Sequence, residues 1–189
     1  MPQPDLLVLI GPSGVGKTSV VHALHRHGAV TVVPTWTTRP ARRGEHVRSL
    51  DHRFVDDIEF GRLAARGFFR AIGAHPGQRY QYGLPDFDPA TRPLNAVVLR
   101  AGHVRCVAGP NTIVYQLASP PRLAEARLRR RGDRADDVAV RMAAYQAEIE
   151  FGADIAARTF CTDRPLTAVV ADIVAALSED CVAVEGAAR

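Results

Sequence analysis

The stretch GPSGVGKT, residues 11–18, leaves this chain little freedom in how it begins to fold. It follows DLLVLI, a short apolar run ending at a glycine, which predicts a buried parallel strand. It opens TSVVHALHRHG, whose apolar spacing and closing Gly28 predict a helix. A G-x-x-x-x-G-K-[ST] pattern between strand and helix is a turn whose successive amides point at phosphate oxygens, and the helix N-terminus adds partial positive charge. Among 24 Lys and Arg residues, Lys17 is the only lysine. A slim, rotatable ammonium fits inside a tight backbone loop, whereas a planar guanidinium fork does not. The one lysine stands where the geometry asks for it.

The rest of the chain continues the alternation of strand and helix. AVTVV, closed by Pro34, predicts a second buried strand, and NAVVL and NTIVYQLA predict two more. VDDIEFGRLAARGFF, with Asp56 and Asp57 as caps, predicts a short helix up to Gly67. SPPRLAEARLRRRG predicts a helix capped by Ser119, with proline in its first turn and Gly132 at its end. RADDVAVRMAAYQAEIEFGADIA reads as one long amphipathic helix, followed by a strand RTFCT and a last helix from Pro165 to about Leu177. Residues 35–53, rich in Arg, Thr, Gly and His, read as a functional loop, and residues 70–93 read as irregular. This order predicts an α/β protein of three layers (αβα) around a mostly parallel sheet. A chain of 189 residues is one domain by default.

Composition excludes several classes. Apolar content of 47% and charged content of 23% are ordinary for a soluble globular chain. The net charge of +4 suits an anionic ligand, and the arginines are dispersed rather than massed as a nucleic-acid-binding tail, so neither a nucleic-acid partner nor a membrane partner is expected. Cys106, Cys161 and Cys181 are odd in number and widely spaced, which indicates neither a disulfide framework nor a zinc site, and a cytoplasmic, reducing location is expected. The run Leu6–Ile10 is too short for a signal peptide or membrane span. A GTPase is excluded because its N-K-x-D base reader needs a second lysine, and no SGG run marks a transport ATPase.

GPSGVGKT, TTRPARRGE, FVDDIEF, GFF, YGLP and RLRRRG followed by VAVRMAAYQAEI occur in the order and spacing of guanylate kinases. The chain resembles that P-loop kinase family over residues 5–178. The resemblance implies a core (1–33, 91–120 and 142–189), an acceptor-binding insert (34–90) and a helical lid (121–141). It implies ATP and Mg²⁺ as cofactors, with Gly11, Pro12, Ser13, Gly14, Val15, Gly16, Lys17, Thr18 and Ser19 around the donor phosphates and Thr18 as the metal ligand. Thr35, Arg39, Arg42 and Tyr82 match positions that hold the acceptor's phosphate, and His52 falls near another, offset by an inserted residue. Arg127 and Arg131, four apart on one helical face, and Arg141 match arginines that neutralise the transferring group, so Lys17, Arg39, Arg127, Arg131 and Arg141 are the expected catalytic set. A monomer or homodimer acting on a nucleotide or sugar phosphate is expected.

Two positions depart from the family. An acidic guanine reader after the Phe of GFF is replaced by Arg70 and Ala71, and a second at the end of NAVVL by Arg100. Guanine offers N1–H and N2–H donors, which arginine cannot accept. Glu45, Asp86 and Asp88 are the nearest acids that could substitute. The missing strand-end acid also removes the family's usual anchor behind Mg²⁺. GMP is the leading acceptor. The related ribose 1,5-bisphosphate phosphokinases, similar at Ala74–His75, YGLP and DRPL, give a second reading, and a catalytically degenerate binding protein a third.

Overall fold

The computed structural model describes residues 4–41, 45, 49–74 and 79–186. Its centre is a five-stranded parallel sheet in the order β2–β7–β1–β8–β9, built from β1 (Leu6–Ile10), β2 (Thr31–Val32), β7 (Asn95–Val98), β8 (Thr112–Ala118) and β9 (Arg158–Cys161). Every strand pair in it is parallel. Alternation along β1 divides its side chains between the two faces. Leu7 and Leu9 join the core that holds α1 (Lys17–Arg26) and α6 (Leu166–Gly186), while Leu6, Val8 and Ile10 join the core opposite with Val97, Val104 and Val107. All five residues are fully buried. A strand buried on both faces has to be apolar throughout, which is why DLLVLI carries no alternation in polarity.

Residues 35–53, expected as a loop, and 70–93, expected as irregular, instead supply a second, four-stranded sheet. Its order is β4–β3–β6–β5, from β3 (Thr35–Thr37), β4 (His52–Phe54), β5 (Phe69–Ala74) and β6 (Gln81–Pro85). Its strands are three to six residues long, too short for periodicity to register, and one face is filled by aromatics rather than aliphatics. Phe60 of α2 (Asp57–Ala65) stacks on Phe69 at 4.7 Å, and Trp36 meets Phe68 edge-on at 5.2 Å. Asp56 caps α2 as expected, its carboxylate accepting from the Glu59 amide.

Helices differ from expectation at three places. The expected long helix is two, α4 (Ala135–Ala143) and α5 (Tyr145–Ala153), broken at Ala144. No breaker residue marks the spot. The two halves serve different partners: α4 packs on α3 (Pro121–Arg131), while α5 packs on β8 and on a 3-10 helix, Ala101–Cys106. The Tyr145 hydroxyl donates to the Ser119 carbonyl at 2.7 Å and holds the junction. Ser119 therefore does not cap α3; Pro120 stands at that position, and Gly132 closes the helix in the left-handed conformation. The last helix runs nine residues beyond Leu177, to Gly186. The expected strand AVTVV narrows to two residues.

Gly14 is required both by its φ of +86° and by packing, since a Cβ there would lie 2.5 Å from the Ala124 carbonyl oxygen of α3. Gly14→Ala is expected to cost about 1–3 kcal/mol of backbone strain. The melting temperature should fall by roughly 2–4 °C for each kcal/mol, and ATP affinity should fall with it. An unchanged melting curve would mean that the loop can slide away from α3.

Candidate active site

The loop between β1 and α1 wraps the end of a cavity of about 750 Å³. Lys17 Nζ donates to the carbonyls of Gly11 and Pro12, at 2.5 and 2.9 Å, so its ammonium lies within the curl of the loop. Burial pushes its pKa down to about 8, against the pull of the Glu148 carboxylate; the nearby cations Arg100, Arg131 and Arg141 depress it further. Such an excess of positive charge is what a polyanion is suited to neutralise. Ser13, Gly14, Val15, Gly16, Lys17, Thr18 and Ser19 all line the cavity; Gly11 and Pro12 lie behind it as buried backbone.

Thr18 and Ser19 are exposed at the start of α1. The Thr18 hydroxyl donates to Asp51 Oδ2 at 2.8 Å. A hydroxyl backed by a carboxylate is a hard-oxygen donor set, and it fits Mg²⁺, which takes few protein ligands and keeps phosphates and waters for the rest. Among the described residues, no group of three or more His, Cys, Asp or Glu residues could hold a metal ion. Burial raises the Asp51 pKa, but His52, Ser49, Thr18 and His22 together hold the carboxyl below its ordinary value. Asp51 was not singled out from the sequence; its one signal is adjacency to His52.

The second sheet brings Thr35, Arg39, His52 and Tyr82 to the same cavity. Arg39 is only 6% exposed. Its guanidinium forms a fork with Glu45, at 2.8 and 3.2 Å, and lies 4.9 Å over the Phe54 ring. Thr35 Oγ1 is 2.8 Å from His52 Nδ1, so the offset histidine does reach the site. Tyr82 sits on β6 opposite Thr37. Arg42 lies outside the described residues, as does His75.

The three remaining arginines line the cavity too, each held differently. Arg127 grips the loop itself: Nη1 donates to the Val15 carbonyl at 3.2 Å, and Nη2 to the Thr162 carbonyl at 2.6 Å. Arg131 forks onto Asp133 at 2.7 and 2.6 Å. Arg141 reaches Ser13 Oγ at 3.4 Å, and its Nε is buried without a protein partner. Burial lowers the Arg141 pKa, and Asp133 opposes that shift.

At the far lining stand Ala71, Leu84, Val98, Leu99, Arg100 and His103. Arg100 is forked onto Glu148 of α5 at 3.1 and 2.6 Å, which raises its pKa chiefly through those hydrogen bonds. The acids named from the sequence are otherwise engaged. Glu45 holds Arg39, while Asp86 and Asp88 accept from the nearby amides of Phe87 and Ala90 and do not line the cavity. Glu148, 48 residues from its partner, was not identified from the sequence.

No family model matches the chain. It is 32% identical over 154 residues to a guanylate kinase of Anaeromyxobacter dehalogenans, an alignment covering 78% of this chain and 68% of that protein. It is 31% identical over 175 residues to a guanylate kinase of Thermosynechococcus vestitus, covering 80% and 82%. The chain belongs to the guanylate kinase-like family of P-loop kinases.

The fold agrees. A guanylate kinase of Anaplasma phagocytophilum superposes with a TM-score of 0.67 at 21% identity, over 95% of this chain and 87% of that one. Guanylate kinases use ATP and Mg²⁺, and this chain is a phosphotransferase of the nucleoside monophosphate kinase type. Ala71 and Arg100, the positions where the resemblance implies acidic groups, both line the cavity, and Arg100 is paired with Glu148. No helix among the described residues is long and apolar enough to cross a membrane.

Proposed function

We propose that the protein transfers the γ-phosphate of ATP, with Mg²⁺, to the phosphate of a nucleoside monophosphate, converting GMP to GDP. One observation carries this reading: a single cavity lined by the P-loop, by Thr35, Arg39, His52 and Tyr82, and by Arg127, Arg131 and Arg141. In this reading the core binds the donor, residues 34–90 the acceptor, and residues 121–141 act as a lid. Lys17 and the loop amides hold the donor phosphates, and Thr18 is the protein ligand to the cation. Arg39, Arg42 and Tyr82 orient the acceptor phosphate, with Thr35 and His52 behind it.

The Thr18 hydroxyl would hold Mg²⁺, which would supply positive charge against the charge that develops on the transferring group. An acceptor that is already a phosphate oxygen needs no general base. What remains for Lys17, Arg127, Arg131 and Arg141 is alignment and preorganised positive charge, which together account for most of the catalysis of phosphoryl transfer.

A specific observation favours a second acceptor. Ala71 accepts nothing, and Arg100 brings donors where guanine needs acceptors. Ribose 1,5-bisphosphate has no base to read, so it would need no acceptor from Ala71 or from an Arg100 already forked onto Glu148. The decisive assay is ADP release from Mg·ATP with GMP, dGMP, AMP, CMP, UMP and ribose 1,5-bisphosphate offered separately. Turnover on GMP above the other nucleotides is the expected result. Turnover on the sugar bisphosphate with GMP silent would transfer the assignment to that acceptor. Silence on every acceptor, with ATP bound, would leave a binding protein.

A further inference from the structure

Asp51 belongs to no part of the P-loop, yet the loop's own hydroxyl is tied to it. It is 3% exposed, immediately before β4. Its two carboxylate oxygens gather four side chains. Oδ2 accepts from Thr18 Oγ1 at 2.8 Å and faces His52 Nε2 at 3.8 Å. Oδ1 accepts from Ser49 Oγ at 2.5 Å and lies 3.2 Å from His22 Nε2. His22 stands one helical turn after Thr18, so a single face of α1 presents both to one carboxylate. The Asp51 backbone points to the acceptor half of the cavity. Its carbonyl accepts from the Thr35 amide at 3.0 Å and from Thr35 Oγ1 at 3.3 Å, and that hydroxyl is 2.8 Å from His52 Nδ1.

A hydroxyl can ligate a hard cation only through its lone pairs, so its proton must be directed elsewhere. The carboxylate at 2.8 Å supplies the place. Among the described residues no other carboxylate accepts from the Thr18 hydroxyl, and the strand-end position is Arg100, whose charge is occupied by Glu148. A neutral or absent acceptor at Asp51 would let the Thr18 hydroxyl rotate its proton toward the phosphates.

We propose that Asp51 is the positioning residue of the cation site, holding the Thr18 proton so that the hydroxyl's lone pairs face Mg²⁺, and joining that ligand through Thr35 and His52 to the acceptor end. The proposal rests on the donor half of the proposed function and is independent of which acceptor is turned over. Partners behind a metal ligand are commonly worth about 10–100-fold in metal affinity.

The test uses the full chain with Mn²⁺ as probe. Its affinity for the protein·ATP complex is followed by electron paramagnetic resonance, and ATP affinity in EDTA by calorimetry. Asp51→Ala should weaken Mn²⁺ binding about tenfold while ATP affinity in EDTA stays unchanged. Asp51→Asn, which keeps one acceptor oxygen and the side-chain shape, should lose less. In a Thr18→Ala background the Asp51→Asn loss should vanish, because its route to the metal is gone; this arm stands even if Asp51→Ala does not fold. Unchanged Mn²⁺ affinity in the variants would overturn the proposal. So would a loss that persists without the Thr18 hydroxyl, or an equal loss of ATP affinity in EDTA. Failure of the unmodified protein to bind ATP would instead overturn the donor reading itself.

Discussion

Lys17→Arg is expected to reduce turnover about a thousandfold while leaving the melting curve in place. The ammonium lies inside the loop, 2.5 and 2.9 Å from the Gly11 and Pro12 carbonyls. The loop around it cannot widen. Gly11 has a φ of +135° and would place a Cβ 2.2 Å from the Leu117 carbonyl oxygen, and Gly14 is pinned against α3 in the same way. Arginine retains the charge but is broader, longer and planar, so its fork cannot occupy the same seat or follow a moving phosphoryl group as a point charge. The charge number is kept and its position is lost, which separates geometry from net electrostatics. Steady-state kcat with saturating ATP is the readout. Full activity would mean that the phosphates do not lie in this loop.

Arg39→Ala should lower kcat/KM for the acceptor by roughly a hundredfold, from the loss of two charged hydrogen bonds at about 1.5 kcal/mol or more each. The expectation follows from how thoroughly this side chain is prepared. It is buried, forked onto Glu45, bonded to the Pro40 carbonyl at 2.9 Å and laid over Phe54. A guanidinium already desolvated and oriented gives up little entropy when a dianion arrives. Arg39→Lys should recover only part of the loss, because the bidentate geometry is absent. ATP affinity should not change in either variant. An equal loss of ATP and acceptor affinity would assign Arg39 a purely structural role, since its partners all lie within the second sheet and its flanks.

The legible parts of this protein were those written in consecutive residues. GPSGVGKT names its own loop, because positive φ at Gly11, Gly14 and Gly16 and the placement of one lysine are local requirements. DLLVLI announces a strand buried on both faces by its unbroken apolar character. Pro121 and Gly132 bracket α3 through backbone preferences that need no tertiary partner. Arg127 and Arg131, four apart in sequence, both line the cavity, although one grips the loop and the other Asp133.

What stayed hidden was decided by contacts between distant residues. The second sheet is made of strands too short to show a period, and it persists because Trp36, Phe60, Phe68 and Phe69 pack together across it. The break at Ala144 has no residue to mark it; it exists because α4 and α5 answer to different neighbours. From the sequence Arg100 stands only where an acid is expected, and Glu148, brought in from α5, pairs with it. Asp51 and Thr18 are 33 residues apart, and only folding makes one the hydrogen-bond acceptor of the other. By itself the sequence determined where a loop of phosphate-cradle form lies and which lysine sits inside it, because such a loop is a property of one backbone turn. Which carboxylates meet Thr18 and Arg100 was decided by tertiary structure alone, because pairing two side chains depends on where separate elements bring them.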